Sequence, residues 1–114
     1  HDRSSRKEFS LLVEPDAFGL TRDELSRALE AEGIDTRFYY DPPVHSHACY
    51  RHLRERSVGR LPVTEMVAPK TITIPIYSHM DEDMVDSVCR AIERAHQYAD
   101  EVRAAIKARE PIPV

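Results

Sequence analysis

The sequence is poor in the residues that build several common kinds of functional site. Only three of its 114 residues are glycine, which argues against a glycine-rich loop that cradles phosphate. Only three are lysine, beside thirteen arginines, so a lysine that forms a Schiff base would have to be Lys7, Lys70 or Lys107. The two cysteines, Cys49 and Cys89, have no paired spacing, which favours a reducing, cytoplasmic location over a disulfide-linked scaffold.

The chain also lacks a strong charge excess and a long apolar run. Its formal charge of −4 and isoelectric point near 5.8 give no electrostatic reason to bind nucleic acid or an anionic membrane. No apolar run approaches the ~20 residues that span a bilayer, and no secretory signal is visible. Apolar residues make up 41% of the chain, which predicts one globular domain at residues 8–109 with flexible tails at 1–7 and 110–114.

Local patterns in the first half of this domain predict strands on either side of a helix. The short apolar run Glu8–Glu14 is expected to be a strand. Thr21 and Glu24 have the spacing of a capping box, which predicts a helix to about residue 32, with Gly33 just past its end. The segment Thr36–Tyr40 is rich in strand-forming residues and is expected to be a second strand.

The second half of the domain has the clearest periodicity. A short helix is expected at Pro62–Ala68 and a third strand at Thr71–Tyr77, where apolar and polar residues alternate. Asp81 is the expected N-cap of one long last helix. Its apolar residues recur every three or four positions, at Val85, Val88, Ile92, Ala95, Ala99, Val102 and Ile106. These elements predict an α+β domain of two layers, with about three mainly antiparallel strands packed by two main helices.

The densest cluster of polar side chains lies between residues 45 and 52. In an extended segment His45, His47 and Cys49 would share one face, and all three are possible zinc ligands. The spacings of known zinc sites are absent, however. A loop whose histidines meet solvent or a neighbouring domain is therefore favoured, and no metal is expected.

Other candidate groups are weaker. A local basic patch could hold a phosphate, although a solvated loop is the favoured interpretation. Its members are Arg51, Arg54, Arg56 and Arg60. Cys89 lies in the predicted last helix and is expected in or near the core of the domain. No set of residues has the composition of a complete catalytic site, so the residues by themselves do not predict a complete enzyme.

Five segments, taken in order, resemble one known family. They are TRDELSRAL at 21–29, GIDTRFYY at 33–40, PVHSHACY at 43–50, LPVTE at 61–65 and IPIYSHM at 74–80. Together they resemble the C-terminal small domain of the DegT/DnrJ/StrS sugar aminotransferases, which are fold-type-I enzymes dependent on pyridoxal phosphate. The resemblance covers about residues 8–100, nearly all of the predicted domain.

The resemblance implies a function for the parent protein. In that family the small domain packs against a large domain and helps to close the active site, where an amino group moves to a keto sugar carried on a nucleotide. His45 and Tyr50 match the histidine and tyrosine of the motif at 43–50 and are the expected substrate-binding residues, whereas His47 replaces the usual glutamine. The Schiff-base lysine belongs to the large domain. This chain alone is therefore expected to have no catalytic residue and to bind no cofactor.

Two alternatives remain open. The first is a non-catalytic binding or oligomerisation module of the same fold, in which the last helix pairs with a second copy to form a homodimer. The apolar stripe that continues to Ile106 motivates it. The second is a small metal-binding domain at His45, His47 and Cys49.

Overall fold

The computed structural model describes residues 7–50, 52 and 61–109. The predicted arginine patch and nearly all of the two predicted tails lie outside these residues. The described elements are β1 (Phe9–Leu12), α1 (Pro15–Phe18), α2 (Arg22–Ala31), α3 (Pro62–Val67), β2 (Thr71–Ile74), α4 (Glu82–Gln97) and α5 (Ala99–Arg109). Short 3₁₀ turns occupy 44–46, 48–50 and 68–70. Within these ranges, no helix has both the length and the apolar character that crossing a membrane requires.

The two strands form an antiparallel sheet. Phe9 pairs with Ile74 and Leu12 with Thr71, so both strands are shorter than their sequence patterns predicted. β2 ends at Ile74 because the next residue is Pro75, which has no N–H to donate to a ladder. The α+β class is therefore confirmed, with a smaller sheet than expected.

The prediction of a strand at Thr36–Tyr40 is wrong. In the described residues this segment forms a single antiparallel bridge, in which Arg37 and Thr73 exchange hydrogen bonds of 3.0 and 2.8 Å. Pairing stops there because the Phe38 ring lies against the guanidinium of Arg22 and the chain then turns. Tertiary contacts outweigh the strand propensity of this segment.

The predicted capping box of α2 is confirmed. The Thr21 hydroxyl accepts from the Glu24 N–H at 3.2 Å, and the Glu24 carboxylate accepts from the Thr21 N–H at 3.2 Å. The inner face of α2 then places Leu25 and Leu29 in the core, each 1% exposed. The rest of the buried core cluster is Val13, Leu20, Ile72, Ala91 and Ala95. α2 therefore packs on the sheet and on α4 at once.

The prediction of a single long last helix is also wrong, because Tyr98 interrupts the helix with φ −110° and ψ 34°. The interruption lies where the helix meets α1. His96 Nδ1 is 2.6 Å from the Phe18 carbonyl oxygen, and the Ala99 Cβ approaches Gly19. α5 is thereby redirected to pack along α2. Near the start of α4, Val85 is 45% exposed, so the predicted apolar stripe is buried or half-buried only from Val88 onward.

Gly19 is expected to be the less replaceable of the two described glycines. Its φ is +97°, and a Cβ built there would lie 3.0 Å from the Ala99 Cβ. Gly19→Ala should lower the free energy of unfolding by about 2 kcal/mol or more, since left-handed strain and a close contact add. Gly33→Ala is the matched control, with φ +80° and open space, and should cost about 1 kcal/mol. Equal urea midpoints for the two variants would contradict a close contact between position 19 and Ala99.

Candidate functional site

The predicted site residues lie in a compact loop of two 3₁₀ turns and not in an extended segment. The N–H of Ser46 donates to the Pro43 carbonyl at 2.8 Å, and the N–H of Tyr50 donates to the His47 carbonyl at 2.9 Å. The pattern predicted that alternate residues share one face. The turns remove that alternation, because a 3₁₀ turn repeats every three residues.

His45 is held by a carboxylate from a different element. Its Nε2 lies 3.4 Å from Glu65 Oε1, and the two side chains are 17% and 30% exposed. Glu65 belongs to α3, which begins at Pro62, a residue suited to the first position of a helix. The distance between Nε2 and Oε1 is at the long end of hydrogen bonding, and the contact orients the His45 ring toward Glu65.

His47 has a structural contact within the loop. Its Nε2 is 2.8 Å from the Pro42 carbonyl oxygen, which holds the ring against the start of the same loop. Cys49 is exposed. Across the ranges that the structure describes, no three His, Cys, Asp or Glu side chains come close enough together to hold a metal ion. The zinc alternative therefore gains no support from the geometry.

Tyr50, the second predicted substrate residue, is 44% exposed. Other large apolar side chains on the two segments that carry His45 and Glu65 are exposed as well: Tyr40 (59%), Val44 (50%), Val63 (68%) and Met66 (57%). Each of these four side chains lies within five residues of His45 or Glu65 in the sequence.

Sequence reasoning missed Arg22, the most buried charged side chain in the described residues. It is 4% exposed, and its Nη2 lies 2.6 Å from Asp41 Oδ2. Nη1 donates to the carbonyls of Ala68 at 3.2 Å and Thr71 at 3.4 Å. One signal was present: a cation in the first turn of a helix is opposed by the macrodipole, so Arg22 needs strong partners elsewhere.

A second ion pair fixes the other side of α2. Arg103 Nε donates to Glu24 Oε2 at 3.0 Å, and Arg103 Nη2 donates to the Gly19 carbonyl. Burial raises the pKa of Glu24, but hydrogen bonds from the Thr21 N–H and from Arg103 outweigh it. The net pKa therefore lies below the ordinary value of 4.5.

The lowered pKa of Glu24 makes part of the stability depend on pH. A carboxyl whose folded pKa is below its unfolded pKa stabilises the fold above the unfolded value, and the benefit is lost as the pH falls through the folded value. Glu24→Gln should therefore cost about 0.5–1 kcal/mol near neutral pH and clearly less at about pH 3. Urea midpoints at both pH values measure this. Glu30→Gln, at an exposed position, is the control. An equal loss of unfolding free energy in Glu24→Gln at both pH values would contradict the prediction.

Two further expectations concern Cys89 and the lysines. Cys89 was predicted in or near the core and is exposed, because the buried face of α4 runs through Val88, Ala91 and Ala95. Lys70 Nζ donates to Glu14 at 2.9 Å at the protein surface, and Lys7 and Lys107 are exposed. These surroundings do not fit a Schiff-base lysine, which needs a desolvated pocket or a neighbouring cation to lower its pKa.

The sequence profile of the DegT/DnrJ/EryC1/StrS aminotransferase family matches residues 1–93. The chain belongs to this family. Over 84 residues it is 31% identical to the dTDP-4-amino-4,6-dideoxy-D-glucose transaminase of Escherichia coli, covering 74% of this chain and 22% of the relative. It is 33% identical to the dTDP-3-amino-3,4,6-trideoxy-alpha-D-glucose transaminase of Streptomyces venezuelae, covering 74% and 21%.

The family assignment extends to the three-dimensional structure. The chain superposes on a DegT DnrJ EryC1 StrS aminotransferase from Brucella abortus with a TM-score of 0.65 and 31% identity, over 78% of this chain and 22% of that one. It therefore spans only about a fifth of the length of these relatives. The family profile stops within α4, so α5 lies beyond the matched range.

Proposed function

We propose that this chain is the small C-terminal domain of a pyridoxal-phosphate-dependent aminotransferase that acts on nucleotide-linked keto sugars. It helps to close the active site, and it is not catalytic alone. The observation that carries the proposal is the placement of His45. The family motif supplies this histidine, and its ring is paired with Glu65 on a face whose neighbouring apolar side chains are exposed. A large domain on this face would cover those side chains and bring substrate to His45 and Tyr50.

The division of labour follows from the lysines. Pyridoxal phosphate, when bound in the parent enzyme, supplies the electron sink that lets an amino group move. None of the three lysines lies in surroundings that suit covalent attachment, so the attachment is assigned to the large domain. The contribution of this chain is a histidine held beside a carboxylate, a tyrosine hydroxyl and a wall that excludes water. Its two free cysteines are consistent with a cytoplasmic enzyme.

A chimera tests the proposal. Residues 8–109 would replace the matching segment of the Escherichia coli transaminase, and transamination of its nucleotide sugar would be measured. The same junctions with the native segment restored serve as the positive control, and the large domain alone serves as the background. We expect the chimera to transaminate well above that background. A folded chimera that binds pyridoxal phosphate but stays at the background rate, with an active control, would overturn the proposal.

A second candidate function is self-association through the last two helices. A groove of about 660 Å³ runs between α2, α4 and α5, and it is lined mainly by apolar side chains that include Ala28, Tyr98, Val102 and Ile106. A second copy of the chain could fill this groove and form a homodimer. Light scattering at high protein concentration tests this function, because a clean monomer under those conditions would contradict it.

A further inference from the structure

Arg22 links three separate segments, two of which lead to the His45–Glu65 pair. Its guanidinium binds Asp41, four residues before His45, and it binds the carbonyl of Ala68, three residues after Glu65. The hydrogen bonds measure 2.6 Å to Asp41 and 3.2 Å to Ala68. The same arginine therefore fixes the start of the histidine loop and the end of the helix that carries the glutamate.

The geometry around Arg22 suits a rigid clamp. The guanidinium is planar, and Nη1 and Nη2 donate in different directions, to Ala68 and Asp41 respectively. Its Cζ also lies 3.9 Å from the centre of the Phe38 ring, and this contact holds the guanidinium plane in place. A lysine would keep the charge, but a single ammonium on a flexible stem cannot reproduce the flat, forked set of contacts.

We propose that Arg22 is a positioning residue for the His45–Glu65 pair. Without the clamp, the histidine loop and α3 would be free to separate. The contact of 3.4 Å between Nε2 and Oε1 is already at the long end of hydrogen bonding, so a small displacement would break it. Arg22 touches neither member of the pair in the described contacts and acts through the backbone segments that carry them. The consequence for substrate binding rests on the proposed function, but the clamp itself does not.

Nuclear magnetic resonance of the His45 ring in this chain, without substrate, tests the clamp. Glu65→Gln changes the partner of Nε2 and should displace the His45 Cε1–H resonance of the otherwise wild-type chain. In an Arg22→Lys background we expect Glu65→Gln to cause less than half of that displacement. Arg103→Lys is the matched control, because Arg103 also anchors α2, through Glu24 and Gly19. It should leave the displacement unchanged.

A second variant guards against failure of Arg22→Lys to fold. Asp41→Asn weakens the other end of the same clamp at a side chain that is 28% exposed, so it should fold and also reduce the displacement by at least half. Unchanged resonances of Leu25 and Leu29 report an intact core in each variant. A Glu65→Gln displacement of full size in both Arg22→Lys and Asp41→Asn would overturn the proposal. Because no substrate is present, inactivity of the chimera would not affect this result.

Discussion

His45→Ala in the active chimera is expected to lower kcat/KM by about 10- to 100-fold. The loss corresponds to one hydrogen bond to a polar or charged substrate group, worth about 1.5–3 kcal/mol. The effect should exceed that of most substitutions in this chain, because the ring is only 17% exposed and is held beside Glu65. Steady-state kinetics with the nucleotide sugar measure it.

His79→Ala is the matched control for His45→Ala. His79 is exposed in the turn between β2 and α4, and it lies outside the segment that carries the substrate residues. The kcat/KM of the chimera with His79→Ala should stay within about twofold of the unsubstituted chimera, because a change of about 0.5 kcal/mol or less is usual at such sites. Equal losses in the two histidine variants would show that His45 has no special contact with substrate.

Leu29→Ala is expected to lower the free energy of unfolding of this chain by about 2–5 kcal/mol. Leu29 is 1% exposed and belongs to the core cluster between α2, β2 and α4, so its removal deletes apolar contacts and leaves a cavity. For a domain of this size, such a loss is a large part of the total stability. Urea denaturation followed by circular dichroism measures it.

Leu12→Ala deletes the same atoms at a position that is 53% exposed on β1. It should change the free energy of unfolding by only about 0.5 kcal/mol. A similar cost for Leu12→Ala and Leu29→Ala would contradict the placement of the core on the inner face of α2.

Local patterns predicted the features of this fold that depend on neighbours in sequence. The capping box at Thr21 and Glu24, the proline that begins α3 and the Asp81 cap of α4 each depend on residues within four positions of one another. These features are confirmed. The family motifs also identified His45 and Tyr50 as substrate residues, which stays a prediction until it is tested by kinetics.

Features that depend on distant contacts could not be predicted in this way. The strand predicted at Thr36–Tyr40 reduces to a bridge because Arg22 binds Phe38 and Asp41, both of them 16 or more positions away in the sequence. The last helix breaks at Tyr98 where it meets α1, about 80 residues earlier. Glu65 lies 20 positions from His45, and no periodicity links the two. Each outcome is set by tertiary packing, which local propensity does not encode.

Hydrogen exchange in the active chimera tests most directly whether this chain forms a closing wall of the active site. Exchange would be followed by mass spectrometry with and without the nucleotide sugar. We predict that peptides covering residues 43–50 become protected on addition of substrate, while peptides covering α5 at Ala99–Arg109 do not change. Protection of α5 without protection of residues 43–50, in a chimera that turns over substrate, would contradict the proposed role of His45 and Tyr50.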